Sequence, residues 1–306
     1  MGAYVVRRLL HMAPVVLVVV TLVFLMLHLI PGDPAQLMLD PSATQQEVAA
    51  LRHQLGLDQP LGRQYAAFLG RLLRGSMGTS FKTGRSALAD AWPSFQHTVE
   101  LAAASVVFAG LAGIGLGVLA GARSRSPVSA LVMVLALLGV SVPTFWLGLL
   151  LIIVFALKLD LLPAGGAGSW QALVLPTITL GSFSLGVIAR ITRAGVAEVM
   201  HADYVRTARA KGASERAVVL RHALRNALIP VITITSLSFG YALGGAVATE
   251  TVFAWPGLGR HIVDAILARD YPAVQASLLL FAISFLIVNL LMDLAYALAN
   301  PRITYG

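Results

Sequence analysis

Long apolar runs separated by polar stretches occupy most of the chain, at residues 9–30, 97–122, 128–157, 170–190, 229–250 and 273–298. A helix crosses the hydrocarbon layer with about 20 apolar residues, so each run is long enough to span. The pattern predicts an all-α polytopic membrane protein with six transmembrane helices. The first run ends in Pro31-Gly-Asp-Pro34 instead of a small-residue cleavage site, which reads as an uncleaved span and not a signal peptide. Gly113, Gly117 and Gly121 recur at every fourth position of the second run, a flat stripe for close helix approach. Pro143 sits near the middle of the third and predicts a kink with freed backbone groups.

Two polar interruptions are longer than the rest. Residues 31–95 carry six basic and five acidic side chains in near balance. A helix is expected to open around Pro41-Ser-Ala-Thr-Gln-Gln-Glu47, and an amphipathic one to cover residues 65–73. Loops this long translocate regardless of charge, so the segment reads as a small folded external insertion. Contact with a substrate-delivering partner and a cap over the outer mouth are both open to it.

The second interruption, residues 198–230, is strongly basic and reads as two short helices with a glycine between them. Asp203 is placed to N-cap the first and Ser214 the second, with Glu215 in the second helix's first turn. Gly212 stands where a left-handed residue would close the first helix. A helix of eight residues, about 12 Å long, is barely stable alone and is expected to dock on something. Its surface combines Tyr204, Arg206, Arg209 and Lys211 with the small Thr207, Ala208 and Ala210, which suits entry into a groove. A charged loop that only orients the spans is the plainer alternative.

This stretch resembles the cytoplasmic EAA loop of permease subunits of ABC importers, in the form of the dipeptide, oligopeptide and glutathione group. Ala208 and Gly212 match the family pattern, whereas Arg206 stands at its leading Glu and Leu224-Arg225 at its closing Leu-Pro. Leu29-Ile-Pro-Gly-Asp-Pro-Ala35 and Glu250-Thr-Val-Phe-Ala-Trp-Pro-Gly-Leu-Gly259 extend the resemblance over essentially the whole chain. It implies a type I, MetI-like ABC importer permease core with an extracytoplasmic insertion after the first helix. The parts would be an N-terminal transmembrane helix at 1–30, the insertion at 31–95, and a five-helix core at 96–306 with a coupling loop at 195–228. It implies as partners a homologous second permease subunit in a heterodimer, two ATP-binding subunits and an extracytoplasmic substrate-binding protein. ATP and Mg would sit on those ATPase subunits and no cofactor on this chain. Tyr204, Arg206, Thr207, Ala208, Arg209, Lys211, Gly212 and His222 would couple to the ATPases.

Composition agrees independently of the resemblance. The chain is 58% hydrophobic and only 12% charged, with mean hydropathy +0.81, as in multispanning membrane proteins. A net charge of +8 raises nucleic acid as a partner, but eight of the 22 basic residues fall between Arg190 and Arg225, where a topological cause explains them. With six spans, Arg7, Arg8, Arg123, Arg125, that cluster and Arg302 all face the cytoplasm, and both termini are inside. The setting is a bilayer, and the resemblance implies the bacterial inner membrane. Trp92, Trp170 and Trp255 then fall at outer span ends like an aromatic belt.

The chain contains no G-x-x-x-x-G-K-[ST] sequence, no nucleophile–base set and no histidine pair at ligand spacing. The resemblance implies a permease without its own ATPase and not an enzyme, forming half of the path for dipeptides, oligopeptides or glutathione. Nickel or metallophore import through the same kind of permease is the alternative. An ion-driven secondary transporter would favour midplane carboxylates, and a membrane scaffold would use the basic loop on headgroups. Glu100 and Glu250, near outer span ends, and Thr144, beside the proline, are candidate translocation-path residues; interfacial or packing roles compete for each. Asn289 and Asp293 share a face of the sixth span, where interhelical hydrogen bonding is expected.

Overall fold

The computed structural model describes residues 2–29, 35–36, 39, 43–54 and 56–299, with side chains described for all of these except 2–9, 11, 27–29, 222, 225–226, 228–229, 232, 236 and 292–299. Pro31-Gly-Asp-Pro34, Arg302 and the side chains of Arg7, Arg8, His222 and Asp293 therefore lie outside the described residues. The order of elements is α1 (Gly2–Leu29), α2 (Gln45–Gln54), α3 (Leu61–Leu73), α4 (Ala87–Ala122), α5 (Pro127–Ser141) and α6 (Thr144–Leu151), which runs on as π-helical Ile152–Lys158. Then come α7 (Trp170–Val199), α8 (Asp203–Ala210), a turn at Glu215–Ala217 that passes into π-helical Val218–Ala223, α9 (Leu224–Val252), α10 (Leu258–Leu267) and α11 (Tyr271–Ala299). Among the described residues three helices are long and apolar enough to cross a membrane: α4, α7 and the 271–291 part of α11. The second span begins ten residues before its expected start at His97, because α4 continues through Pro93 to Ala87.

The chain folds as two compact units, Met1–His97 with Gly257–Ile287, and Thr98–Pro256 with Val288–Gly306. In the second unit, the glycine stripe sets the register. A Cβ at Gly113 would meet Ile188, one at Gly117 Thr192, and one at Gly121 Val196. The partner number rises with the glycine number, so α4 and α7 run parallel. Helix α5 runs the other way along α7, since Gly139 faces Ser182 and Gly186 faces Ala136. Helix α9 is likewise antiparallel to α7, with Gly195 on Ala227 and Gly245 on Leu180. Arg193, near the end of α7, donates to Ser129 Oγ (3.0 Å) and to the Ser124 carbonyl (3.3 Å), fastening that end to the turn between α4 and α5. Arg190 and Arg193 thus belong to α7, not to the basic loop in which the charge pattern groups them.

The third apolar run departs from expectation. It is bent far more sharply than a kink: α5 and the α6–π segment meet at 111°. The proline ring excludes the helical region for the residue before it, and Val142 is extended at φ −79°, ψ 128°. Pro143 then starts α6 as its N-cap. Trp255 also differs from the expected belt. It is 1% exposed, among the most buried side chains, whereas Trp92 and Trp170 are exposed. Its backbone N–H bonds the Glu250 carbonyl at 2.9 Å, so the turn after α9 folds the ring inward.

In the first unit α1 packs antiparallel to the start of α11. Val20, Val23 and Phe24 share a core with Ala276 and Leu279, and Gln275 Nε2 donates to the Val23 carbonyl at 3.1 Å. The insertion is helical and stands on this pair. Tyr65 and Phe68 of α3 meet Phe24 at ring distances of 5.1 and 5.6 Å. Helix α2 opens with a reciprocal capping box, Thr44 N–H to Glu47 Oε2 at 2.7 Å and Glu47 N–H to Thr44 Oγ1 at 3.3 Å. The Thr44 backbone bond, then its hydroxyl, holds the Glu47 carboxyl below its ordinary range.

Candidate coupling and path sites

The basic segment contains one closed helical unit. Asp203 is the first residue of α8 and not its cap: Ala202 holds the N-cap position, and no side chain caps the helix. The Asp203 carboxylate still sits on the positive helix end and lies 3.7 Å from Arg206. The far end is built as the glycine suggests. Gly212 has φ +85°, its N–H bonds the Arg209 carbonyl at 2.9 Å, and Ala213 N–H bonds the Ala208 carbonyl at 3.1 Å. Those two bonds form a Schellman closure, which uses carbonyls a helix end otherwise leaves without partners. Ser214 caps the next turn by accepting from Ala217 N–H at 3.3 Å.

An ion pair braces the corner around Gly212. Arg209 Nε and Nη2 reach the two Glu215 oxygens at 2.7 and 3.2 Å, the forked geometry in which guanidinium binds carboxylate best. This hydrogen bond holds the Glu215 carboxyl below its ordinary range and raises the Arg209 guanidinium. A depressed folded-state value means the brace is fully present at neutral pH. It is lost only as pH falls through that value in acid. Beyond the corner the chain passes without a break through the π segment into α9.

The expected coupling residues therefore divide. Tyr204, Arg206 and Thr207 are exposed on α8, as is Lys211 at its C-cap, and Ala208 is half-buried. Val205 is fully buried and anchors the opposite face. Arg209 is half-buried and paired with the exposed Glu215. For His222 only the backbone is described, within the π segment.

The path candidates separate too. Glu250 is fully buried and accepts a 2.6 Å hydrogen bond from Thr98 Oγ1, which joins the C-terminal end of α9 to α4. Glu100 is exposed and Thr144 half-buried at the start of α6. Asn289 is exposed on α11.

The family described as "Binding-protein-dependent transport system inner membrane component" matches residues 113–305, and its N-terminal component matches residues 1–102. The chain belongs to this family. The permease is 47% identical over 303 residues, 99% of both chains, to the glutathione transport system permease protein GsiC of Salmonella paratyphi A. It is 46% identical over the same length to GsiC of Escherichia coli strain K12. A solved inward-facing MetNI methionine ABC transporter matches with TM-score 0.58 at 18% identity, over 69% of this chain and 96% of that one, a likeness of fold alone. The permease is thus an all-helical, MetI-like membrane component of an ABC importer. It is a transport subunit and not an enzyme, working with an ATPase carried on a separate subunit and with a binding protein.

Thr98 and Arg193 were not singled out by the sequence. Thr98 gives no signal beyond a hydroxyl at the start of an apolar run. Arg193 had one: an arginine three residues after another at the end of a span, able to reach back to the preceding turn. The Glu250 contact is directly testable. Glu250→Gln keeps an acceptor for Thr98 and is expected to stay near wild type in thermal stability. Glu250→Ala leaves that buried hydroxyl without this partner, a loss of about 1–3 kcal/mol, read as a lower melting temperature in detergent. Equal melting for Ala and wild type would show that the bond contributes nothing.

Proposed function

We propose that the permease forms half of the membrane path of an ATP-driven importer for glutathione or closely related short peptides. The other half would be a homologous second permease subunit, and two ATP-binding subunits carrying ATP and Mg would dock below. The substrate class rests on one observation, the 47% identity over 99% of both chains with a glutathione permease. The proposed setting is the bacterial inner membrane, crossed six times with both termini in the cytoplasm.

The packing supports that count. Helices α4 and α7 are parallel, so the chain between them must travel back; the bent α5–α6 pair accordingly makes one net pass. Helix α9 then returns again. With α1 and α11 this gives six passes, and the arginines of the α4–α5 turn and of 190–225 lie on one side. The proposed organisation is a first span at 1–30, an external insertion at 31–95 and a core at 96–306 with a coupling loop at 195–228.

Helix α8 is the proposed coupling element. Tyr204, Arg206, Thr207 and Lys211 would face the ATPase groove and Ala208 would allow close entry. Arg209 and Gly212 would keep α8 at a fixed angle to the chain leading into α9, with His222 on that lead. Thr144, Glu100 and Glu250 are the proposed path residues; Glu250 reaches the path only when its bond to Thr98 opens.

Uptake by the assembled importer decides between substrates. Proteoliposomes with both ATPases and the binding protein are expected to accumulate labelled glutathione only with ATP, and unlabelled short peptides should compete. Accumulation of nickel and not of glutathione, or uptake driven by an ion gradient without ATP, would replace this reading.

A further inference from the structure

The unit made of Met1–His97 and Gly257–Ile287 contains a cavity of about 440 Å³ between the insertion and the start of α11. That lies in the range of ligand sites, roughly 300–1,000 Å³. Two buried polar side chains of α11 line it. Tyr271 and Gln275 are 4% and 5% exposed and stand at positions i and i+4 of the helix, so they share a face. The Gln275 amide nitrogen donates to the Val23 carbonyl at 3.1 Å. Among the described residues, neither its amide oxygen nor the Tyr271 hydroxyl has a hydrogen-bond partner. Buried polar groups are normally paired, so an acceptor and a hydroxyl on one wall point to a ligand that pairs them.

The rest of the lining narrows the chemistry of that ligand. Phe24, Phe68 and Met77 are buried and form an apolar floor. Arg71, exposed in the last turn of α3, supplies a cation, and among the described residues no ion pair holds it. His53, the other basic lining residue, lies 3.9 Å from Asp58. No acidic side chain is among the lining residues. Asp270, which precedes Tyr271, is committed elsewhere: it accepts from Ser80 Oγ, from Lys82 N–H and from Ala273 N–H. The cavity therefore suits an anion that carries a hydrogen-bond donor and an apolar tail.

The surroundings favour a lipid as the source of that tail. Leu73, at the end of α3, is 89% exposed and lies in sequence between Arg71 and Arg74, both exposed. A bare leucine among arginines is the composition of a helix that rests at the headgroup layer. Helix α1, which supplies Phe24, also exposes Val18 and Leu22, apolar surface for acyl chains.

We propose that this cavity binds the headgroup of an anionic phospholipid of the phosphatidylglycerol class. Arg71 pairs the phosphate, and the Tyr271 hydroxyl donates to a phosphate oxygen. The Gln275 oxygen accepts from a glycerol hydroxyl, and one acyl chain begins over Phe24 and Phe68. Guanidinium suits the phosphate because its fork engages two oxygens at once. The ammonium of phosphatidylethanolamine would find no carboxylate in the lining. The bound lipid ties the insertion to the bilayer surface, whatever substrate the permease carries.

The test uses the assembled importer, delipidated in detergent, with bound lipid counted by native mass spectrometry. It is titrated with dioleoylphosphatidylglycerol, with dioleoylphosphatidylethanolamine and with soluble glycerol 1-phosphate. One phosphatidylglycerol per permease is expected, held about tenfold tighter than phosphatidylethanolamine, the scale of one hydrogen-bonded charge pair. Arg71→Gln should weaken it by about tenfold, and Tyr271→Phe, which keeps the ring, by about fivefold. Ala67→Trp, in the lining on α3, should fill the cavity and abolish the bound lipid. Arg63→Gln removes the same charge from an exposed position of α3 outside the lining and should change nothing. Added phosphatidylglycerol should raise the melting temperature of wild type and of Arg63→Gln, and leave that of Ala67→Trp where it stands without lipid.

Equal binding of the two lipids, or equal losses from Arg71→Gln and Arg63→Gln, overturns the proposal, because the contact is then diffuse attraction to the bilayer surface. Glycerol 1-phosphate that binds as tightly as the lipid overturns it in favour of a soluble phosphate ester. Displacement of the lipid by glutathione overturns it in favour of a substrate site.

Discussion

Gly212→Val is expected to abolish ATP-dependent uptake while the permease still inserts. Gly212 lies at φ +85°, and a Cβ there would meet nothing within 4 Å. The penalty is therefore one of backbone conformation and not of crowding, roughly 1–2 kcal/mol for an L-residue and worst for a β-branched one. That is small against the fold of a multispanning protein, yet it falls on a helix of 8 residues that cannot persist without its closure. If the residue leaves the left-handed region, the bonds from Gly212 to Arg209 and from Ala213 to Ala208 are lost together. The Arg209–Glu215 pair at 2.7 Å then loses its alignment, and α8 no longer holds a fixed direction. Asn tolerates this region better than Val, so Gly212→Asn should retain part of the uptake. Uptake in proteoliposomes, with insertion and ATPase copurification followed in parallel, checks the order Gly, Asn, Val. Normal uptake by the Val variant would make the loop a topological tether and no more.

What the sequence made legible and what it did not have separate physical causes. The corner at Gly212 was readable because its chemistry is local: a glycine, a capping Ser214 and an acidic Glu215 within four positions. Asp203 was misplaced by one residue, since an acidic residue is favourable both at the cap and just inside it, and the sequence does not distinguish the two. Pro143 announced a kink but not a bend of 111°. That angle goes with a non-local fit, in which Gly148 admits Phe253 and Val252 so closely that a Cβ would lie 3.0 and 3.2 Å from them. Trp255 looked like a belt residue because aromatic rings at span ends usually are. Its burial follows from the turn after Val252, where Ala254 takes φ +49° and Trp255 N–H bonds back to the Glu250 carbonyl. The buried bond between Thr98 and Glu250 joins residues 152 positions apart, beyond any periodicity argument.

The glycine stripe of α4 is the opposite case, a pattern whose purpose was readable although its partner was not. It yields the largest effect expected of any single substitution in the core. A Cβ at Gly117 would lie 2.5 Å from Thr192 Cβ and 2.7 Å from the Ala189 carbonyl oxygen. The second neighbour is backbone of a buried part of α7, so no side-chain rotation relieves the overlap. Without a hydrophobic force between helices in lipid, close packing of this kind is a main source of their association. Gly117→Ala should therefore already lower thermal stability, by about 1–3 kcal/mol, the usual range for an overpacked core. Gly117→Leu should force α4 and α7 apart along the stripe, since Gly113 and Gly121 make the same close approach on either side. Loss of folded permease from the membrane fraction is the expected result. Gly115 is the control on the same helix: a Cβ there meets nothing within 4 Å, so Gly115→Ala should leave uptake unchanged and melting no lower than wild type. Measured by detergent melting and by membrane abundance, the contrast between positions two residues apart separates packing from helix propensity. Propensity would favour Ala at both positions. If Gly117→Leu accumulates and melts like wild type, the parallel packing of α4 on α7 is wrong, and with it the argument that the bent α5–α6 pair makes a single net pass.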